Sequence, residues 1–387
     1  MKSKELSVYI HIPFCKRKCN YCDFCSFAGT DGEVKGRYVE RICEDIADFA
    51  PRARGYEVVT LYFGGGTPSL LDSASVGKMM CAARENFDLS PDAEITLECN
   101  PATASERFFE DIRAFGVNRL SIGLQSADDV ELQKLGRLHS YADFESTYFA
   151  ARRAGFENIS VDLMYGLSDQ TLDAFERSLK TLAALSPEHI SSYLLKIEEG
   201  TAFAKVEKEL ALPDEDTQFK MYTRMTNYLS EMGYDKYEIS NFAKAGFESR
   251  HNAGYWTGRE YIGFGVAAHS FFGGERFGNS RDMDAFLAGE DIVCERESIG
   301  ETDAAFEFVM LGMRMGRGIS LAEYESRFGR RFAEDFPSAE DFIAHGLLCR
   351  EGDRLFFTDD GFFVSNTILA EFLEDFSKSV DKRGDLL

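Results

Sequence analysis

Short apolar runs alternate with longer, amphipathic segments through the first half of the chain. The short runs are rich in β-branched and aromatic side chains and are bounded by glycine or polar residues, which is typical of buried strands. They predict six strands, at residues 8–12, 58–63, 94–98, 119–124, 159–164 and 190–197.

The segments between these runs carry apolar residues at helical spacing, and Ser, Thr or Asp stands near their starts, as at helix N-caps. Examples are residues 34–49, 73–87, 105–115 and 172–185. About six such strand–helix repeats predict a parallel sheet with helices outside, either doubly wound or curled into a barrel. In both arrangements the functional groups lie at the carboxyl ends of the strands.

Composition narrows the class of protein. The chain has 387 residues, of which 44% are hydrophobic, so it is long enough for more than one folded domain and unlike a disordered protein. Its net charge is −23 and its sequence pI is about 4.7. Binding to nucleic acid requires clustered Lys and Arg, so we expect no nucleic-acid partner.

The nine cysteines are an odd number for a chain of this length, which does not fit a secreted disulfide framework and indicates a reducing compartment. The sequence begins without a long apolar leader and contains no apolar run of about 18 residues. We therefore expect a cytoplasmic protein with no membrane span. Peripheral contact with a membrane is left open.

Three cysteines follow the first predicted strand at the spacing CxxxCxxC: Cys15, Cys19 and Cys22. Thiolates are soft ligands that favour iron–sulfur clusters, zinc or copper(I). Three of them on a 4Fe-4S cluster would leave one iron open to a non-protein ligand. Zinc stays an alternative at this point, because Cys22 and Cys25 form a CxxC pair of the kind found in zinc sites.

Polar groups also stand at the ends of later strands. Residues 64–69 read GGGTPS, Glu98 ends the third predicted strand, and Gln125 follows the fourth. Asp162 lies inside the fifth strand, where a buried charge is costly unless it is paired. Arg137 is its predicted partner. Because the carboxyl ends of parallel strands meet at one edge, these groups predict a single polar site opposite the cysteines.

Five motifs occur in a fixed order: YIHIPFCKRKCNYC, GGGTPS, ECNP, RLSIGLQS and DLMYGL. In this order they resemble the radical-SAM family that contains oxygen-independent coproporphyrinogen III dehydrogenase and a branch of heme chaperones. The resemblance runs from Tyr9 into the C-terminal segment. It implies an α/β fold, a partial (β/α)6 TIM-like barrel of six parallel strands.

The resemblance also implies roles for residues that match the family's motifs. Cys15, Cys19 and Cys22 would hold a 4Fe-4S cluster, and S-adenosylmethionine would bind beside it. The implied contacts of S-adenosylmethionine are Tyr9, Gly65, Gly66, Thr67, Glu98, Gln125, Arg137 and Asp162. These residue types suit a ligand with an amino acid, a sulfonium and a ribose, which needs backbone donors, carboxylates and an Arg.

Two features separate the chain from the dehydrogenase branch. The dehydrogenases carry a fourth cysteine two positions after the triplet, where this chain has Phe24, as the heme-chaperone branch does. They also carry an arm ahead of the cysteines, whereas fourteen residues precede Cys15 here. Cys25 does not match the dehydrogenase position. Both features favour the chaperone branch.

The expected function is therefore that of a heme chaperone, which binds heme as cargo and passes it to acceptor proteins, with respiratory-chain components among the candidates. Oxidative decarboxylation of coproporphyrinogen III in porphyrin biosynthesis is the enzymatic alternative, and radical chemistry on another substrate is a further one. Whether S-adenosylmethionine is cleaved or only bound stays open, as do the oligomeric state and the identity of the acceptor.

Residues 251–256 read HNAGYW and match an HNxxYW motif of the chaperone branch. Imidazole is a good axial ligand of heme iron, and aromatic faces pack on porphyrins. His251 is thus the candidate heme ligand, and His269 is a second one. Alternatively, His251 and Trp256 anchor the loop before residues 261–265.

These patterns predict three segments. Residues 1–235 form the radical-SAM core, residues 236–300 carry the HNxxYW motif, and residues 301–387 form a helical, winged-helix-like domain. The last segment contains several pairs of acidic residues, so DNA binding is not expected of it, and a packing or partner role is favoured.

Overall fold

A computed structural model describes residues 3–383 of the chain. Its helices are α1 (Gly32–Phe49), α2 (Ser73–Asn86), α3 (Glu106–Ala114), α4 (Asp129–Lys134), α5 (Tyr141–Arg153), α6 (Leu172–Ala184), α7 (Ala202–Lys205), α8 (Glu215–Glu231), α9 (Arg250–Trp256), α10 (Met283–Ala288), α11 (Glu301–Gly312), α12 (Leu321–Phe328), α13 (Phe332–Asp335), α14 (Ala339–Ala344), α15 (Asp359–Phe363) and α16 (Ser365–Arg383). Within residues 3–383, no helix is both long and apolar enough to cross a membrane.

The strands are between 2 and 12 residues long. They are β1 (Lys4–Ile12), β2 (Phe14–Cys15), β3 (Phe27–Ala28), β4 (Tyr56–Gly65), β5 (Asp88–Cys99), β6 (Arg119–Gln125), β7 (Ile159–Tyr165), β8 (His189–Leu194), β9 (Asp235–Lys236), β10 (Asn241–Ala243), β11 (Tyr261–Phe264), β12 (His269–Phe272), β13 (Glu275–Asn279), β14 (Val293–Ser298), β15 (Ile319–Ser320), β16 (Leu348–Glu351) and β17 (Arg354–Phe357).

The chain forms two compact units, whose boundaries differ from the three segments predicted above. The first unit contains the residues up to Met221 together with Glu260–Glu297, and the second contains Tyr222–Arg259 together with the residues from Ser298 onward. The predicted middle segment is thus shared: its HNxxYW motif lies in the second unit, and strands β11 to β14 lie in the first.

The first unit contains the predicted parallel barrel strands. Its sheet runs in the order β14-β13-β12-β11-β1-β4-β5-β6-β7-β8. Every neighbouring pair from β1 to β8 in that order is parallel, which confirms the predicted sheet of six parallel strands. The sequence did not predict the extension beyond β1. There, β11 pairs parallel with β1, and β12 and β13 follow as antiparallel strands.

The outer helices begin where the sequence placed their caps. The side chains of Asp31, Asp72, Ser105 and Thr171 accept hydrogen bonds from backbone N–H groups in the first turns of α1, α2, α3 and α6. These caps satisfy donors that a helix cannot satisfy internally. Each helix then turns its apolar side chains towards the sheet.

The barrel interior is unusually polar. In β6 all seven residues are buried, and because successive side chains of a strand point to opposite faces, Leu120, Ile122 and Leu124 share one face. The other face, towards the barrel axis, carries Arg119 and Ser121. TIM-type barrels usually fill this space with branched apolar side chains. In this barrel, β6 instead places an arginine and a serine on its inner face.

The second unit has an aromatic core. Phe336 stacks against Phe332 and Phe376, with ring centroids 4.8 and 5.5 Å apart. A buried ion pair joins Arg330 Nε to Asp335 Oδ2 at 2.9 Å. The antiparallel hairpin of β16 and β17 follows helices α11 to α14, and β15 pairs with β17. This order of helices and hairpin fits the predicted winged-helix-like domain.

Candidate functional site

A cavity of about 640 Å³ opens at the carboxyl ends of the barrel strands in the first unit. The cysteine loop forms one wall and the ends of β4 to β7 form the other. Ten of the residues predicted for the cluster and cofactor line it: Cys15, Cys19, Cys22, Gly65, Gly66, Thr67, Glu98, Gln125, Arg137 and Asp162. The structure therefore brings the strand-end groups together with the cysteines.

Tyr9 is the predicted cofactor contact that does not line this cavity. Its hydroxyl lies 3.0 Å from His11 Nδ1, and its ring stacks on Tyr62 with centroids 6.1 Å apart. The other nitrogen of the same imidazole, Nε2, lies 2.9 Å from the carbonyl oxygen of Cys25 and must donate to it. Nδ1 is then the acceptor, and Tyr9 donates. Through His11, the Tyr9 hydroxyl is thus connected by hydrogen bonds to the backbone of the cysteine loop.

A chain of polar contacts ties the cysteine loop to three strand ends. Asn100 Nδ2 donates to Thr67 Oγ1 at 2.7 Å, which leaves the threonine hydroxyl free to donate to Cys15 Sγ at 3.5 Å. Arg137 donates to Asn100 Oδ1 at 2.6 Å and to Cys19 Sγ at 3.7 Å. Two of the three thiols are therefore positioned by the barrel itself.

The donor set fits an iron–sulfur cluster. Cys15, Cys19 and Cys22 are half-buried free thiols in one loop. Burial raises the pKa of the Cys22 thiol to about 11, and binding of iron would displace its proton, because thiolates are the ligating form. Among residues 3–383, no three His, Cys, Asp or Glu side chains converge tightly enough for a single metal ion.

The glycine turn after β4 is required by close packing. Gly65 has φ of 109°, and a Cβ there would lie 2.4 Å from the His11 ring. A Cβ on Gly66 would lie 2.8 Å from the Phe14 carbonyl oxygen. Glycine is therefore the only residue that lets this turn approach the cysteine loop. Close packing thus explains the glycines at positions 65 and 66, and the same turn also lines the cavity.

Two half-buried carboxyl groups form the polar floor of the cavity. Glu98 accepts hydrogen bonds from Tyr62 Oη at 2.9 Å and from Gly65 N at 3.0 Å. Burial raises the pKa of Glu98 to about 7 and that of Asp162 to about 6, against the hydrogen bonds that lower them. Both groups therefore change charge close to neutral pH, which is common at binding sites.

The partner predicted for Asp162 is corrected by the structure. Ser121 Oγ donates to Asp162 Oδ1 at 3.2 Å, and Arg137 makes no ion pair with Asp162 among the described residues. The guanidinium of Arg137 is held instead by Asn100 and by the Gly123 carbonyl oxygen, at 2.8 Å. It contributes to Asp162 only through its charge, which lowers the pKa of that carboxyl.

The end of β6 adopts a shape that its sequence does not favour. Gln125 has φ of 71°, a left-handed conformation that is costly for a residue other than glycine. A Cβ on Gly123 would lie 2.8 Å from Gln125 Nε2 and 3.2 Å from Arg137 Nη2. The strand end is therefore fitted closely around these two side chains.

Sequence reasoning missed Asn100 as a site residue, although it follows a predicted strand end directly. It also missed an apolar rim at the cavity mouth, formed by Phe24, Tyr193 and Leu194, which are 69%, 41% and 36% exposed. Lys18 and Lys196 also line the cavity, and both are exposed. The available signal in the sequence was Phe24, an aromatic residue two positions after the cysteine triplet.

The HNxxYW motif lies in the second unit, and two of its side chains contact each other. His251 is buried, and its Nε2 lies 3.0 Å from the Tyr255 hydroxyl on the same helix, α9. The Ser249 side chain caps this helix, and Arg314 lies 5.5 Å from the Trp256 ring centroid. His269, in the first unit, is exposed.

Comparison with known proteins agrees with the fold. A family model described as the radical SAM superfamily matches residues 9–182, and one described as the HemN C-terminal domain matches residues 299–364. A solved structure of coproporphyrinogen III oxidase (HemN) from Escherichia coli superposes with a TM-score of 0.83 at 24% identity, covering 96% of this chain and 91% of that one. At this identity the likeness shows the fold alone.

Similarity to curated proteins is higher. The heme chaperone HemW of Escherichia coli (strain K12) is 36% identical over 383 residues, covering 97% of this chain and all of that protein. The heme chaperone HemW of Bacillus subtilis (strain 168) is 33% identical over 378 residues, covering 95% of this chain and 99% of that protein. The chain therefore belongs to the HemW family of radical SAM proteins.

Proposed function

We propose that this protein binds heme and passes it to acceptor proteins, and that its cavity holds a 4Fe-4S cluster and S-adenosylmethionine. The observation that carries the proposal is the division of the cavity into two ends. Its inner end is lined by cysteines, carboxyl groups and glycine backbone, and its mouth is apolar and cationic. The full-length similarity to proteins named heme chaperones supports the same assignment.

The inner end suits the cluster and S-adenosylmethionine. Cys15, Cys19 and Cys22 would hold the cluster, which when bound offers an open iron to the amino and carboxylate groups of the cofactor. Glu98 and Asp162 would accept hydrogen bonds from the cofactor's donors. Their carboxyl groups must be ionised for this role, since only the ionised form accepts at both oxygens.

The mouth suits heme. Heme is a flat, largely apolar ring that carries two propionate carboxylates, so its site needs aromatic or aliphatic contacts and cations. Phe24, Tyr193 and Leu194 offer the apolar contacts, and Lys18 offers a cation that forms no ion pair with any described residue. Lys196 is paired with Glu198 at 2.8 Å and would have to exchange partners.

The iron of heme also needs a ligand. From its motif alone, and without placing it at the cavity mouth, we propose His251 as an axial ligand of heme iron, with His269 as the competing candidate. His251 has to leave its contact with Tyr255 to bind iron. His269 is exposed and needs no such rearrangement, so a test must include both.

A spectral titration tests heme binding. The Soret band of added heme should shift and sharpen when the protein binds it, and Phe24→Ser should weaken this change because it removes the aromatic contact at the mouth. His251→Ala should shift the band if His251 is the ligand, and His269→Ala should shift it if His269 is. His345→Ala is the matched control, since His345 is exposed and far from the motif in sequence. A Soret band that stays that of free heme in the presence of the wild type would refute the proposal.

The enzymatic alternative is supported by the likeness of the fold to HemN. It predicts that the reduced, cluster-loaded protein converts coproporphyrinogen III to protoporphyrinogen and consumes S-adenosylmethionine. Chromatography of the porphyrins after anaerobic incubation distinguishes the two functions. We expect no decarboxylated product. Product that forms only with S-adenosylmethionine would refute the chaperone function and support the enzymatic one.

We propose the reducing cytoplasm as the location, because all nine cysteines are free thiols. Heme-accepting proteins, with respiratory-chain components among the candidates, are the proposed partners. Mixing heme-loaded protein with a heme-free cytochrome should move the Soret band to that of the cytochrome, and a band that stays unchanged would contradict the assignment of acceptor.

A further inference from the structure

Arg119 is a buried cation inside the barrel that the proposed function does not use. It begins β6, its side chain is among the largest fully buried ones, and its Nε is buried with no hydrogen-bond partner. Its guanidinium forms no ion pair with any residue in the described part of the chain. Such a group is costly in a protein interior, where an apolar side chain of similar size would be favoured.

The register of the sheet places Arg119 below the cavity. Arg119 is opposite Thr96 on β5, and Ser121, two residues further along the same face, is opposite Glu98. Ser121 in turn donates to Asp162 on β7. Arg119 therefore lies one step deeper in the barrel than the two carboxyl groups that form the cavity floor.

Groups that can carry charge face Arg119 from four neighbouring strands. They are Tyr62 on β4, Glu94 and Glu98 on β5, Asp162 on β7 and His189 on β8. Burial has the largest effect on the pKa of Glu98, Asp162 and His189. The positive charge of Arg119 has a smaller effect and lowers the pKa of all three groups. Asp162 is further influenced by Arg137, and Glu98 by Asp162 itself, which raises its pKa.

We propose that Arg119 is the positive charge that favours the ionised forms of Glu98 and Asp162 beneath the S-adenosylmethionine site, without itself touching the cofactor. It is thus a positioning residue, and this role rests on the proposed function of the cavity. Direct ion pairs would occupy the carboxylate oxygens. A cation held one step below leaves those oxygens free to accept hydrogen bonds from a ligand while still opposing protonation.

The first test needs no cofactor. Carboxyl groups labelled with ¹³C are titrated by NMR between about pH 5 and 9 in the wild type and in Arg119→Gln, with Glu98→Gln and Asp162→Asn used to assign the two signals. We expect both midpoints to rise by roughly one pH unit in Arg119→Gln. Arg119→Lys should restore most of the wild-type behaviour. Arg84→Gln, at an exposed arginine of α2, is the control and should change neither midpoint.

Arg119→Met is the second neutral variant, because an apolar side chain suits the site should glutamine prevent folding. Unchanged midpoints in a folded neutral variant would overturn the proposal, since they would show that Arg119 only fills space. The same titration decides this even if the wild type binds no S-adenosylmethionine, an outcome that would refute the proposed function separately.

The second test uses anaerobically reconstituted protein and calorimetric binding of S-adenosylmethionine between about pH 6.5 and 9. At pH 7 the neutral variants should bind roughly tenfold more weakly than the wild type and should recover at the alkaline end. The amino group of the cofactor titrates in the same range, but equally for every variant. A loss of affinity that is the same at every pH, or carboxyl midpoints that move while the binding profile does not, would overturn the link to the cofactor.

Discussion

Replacing Glu98 with Gln should stabilise the cofactor-free protein at alkaline pH and leave its stability nearly unchanged at acidic pH. A carboxyl whose pKa is higher in the folded than in the unfolded protein binds more protons when folded, so the fold loses stability as the pH rises between the two values. For Glu98 these values are 4.5 and about 7. Above pH 7 the lost stability amounts to about 3 kcal/mol, an upper bound because the carboxyl faces a water-accessible cavity.

The amide side chain of the Glu98→Gln variant would never ionise, but it offers only one acceptor oxygen. The wild-type carboxyl accepts from both Tyr62 and Gly65, so the variant leaves one of these donors unpaired at a cost of about 1 kcal/mol. The net gain at pH 8 is therefore about 2 kcal/mol. At pH 5 the wild-type carboxyl is already neutral and has lost the second full acceptor as well, so the variant should be about as stable as the wild type.

Thermal unfolding followed by circular dichroism at pH 5 and pH 8 measures how the stability difference between variant and wild type depends on pH. A gain of 2 kcal/mol corresponds to roughly 4 °C for a unit of this size. Glu145→Gln, at an exposed position of α5, is the control and should leave the midpoint unchanged at both values. A Glu98→Gln difference that stays the same at both pH values would refute the reasoning, because Glu98 would then titrate like an ordinary surface carboxyl.

Three further predictions concern the site and the second unit. Asp162→Ala should weaken S-adenosylmethionine binding, measured by calorimetry, while the iron content stays near four per chain; unchanged affinity would contradict the placement of that carboxyl. Cys25→Ala should keep its iron, whereas an alanine at any cysteine of the triplet should lose it, and the opposite result would reassign the ligands. Asp335→Ala removes one partner of the buried ion pair with Arg330 and should cost about 3–5 kcal/mol, seen as a lower melting temperature; cofactor affinity should not change.

The strand–helix alternation was sufficient to predict the parallel sheet, whereas the choice of a barrel over a doubly wound sheet came from the family resemblance. Each of the six predicted strands corresponds to an observed one, because a buried strand needs an apolar face towards its helices, and that face is visible in the sequence. β6, for example, was predicted at residues 119–124 and is observed at Arg119–Gln125. The predicted ends were less accurate: β5 begins earlier than predicted, at Asp88, because pairing with β4 extends it beyond its apolar residues.

The site was predicted less completely than the fold. Spacing identified the cysteines and the strand-end carboxyl groups, but it could not show that Arg137 turns towards Asn100 and away from Asp162. That choice depends on the turn after α4, which no local pattern specifies. Arg119 was visible only as the first residue of a strand. Its isolation became apparent once the inward faces of β5, β6 and β7 were seen side by side.

Transfer of heme tests the central claim most directly. Protein loaded with one heme is mixed anaerobically with a heme-free cytochrome in the presence of S-adenosylmethionine, and the absorption of both proteins is measured after they are separated. The account predicts that heme leaves this protein and appears in the cytochrome, more slowly in Phe24→Ser because less heme is bound productively at the mouth. Heme that never binds, or that stays bound whatever acceptor is supplied, would contradict it.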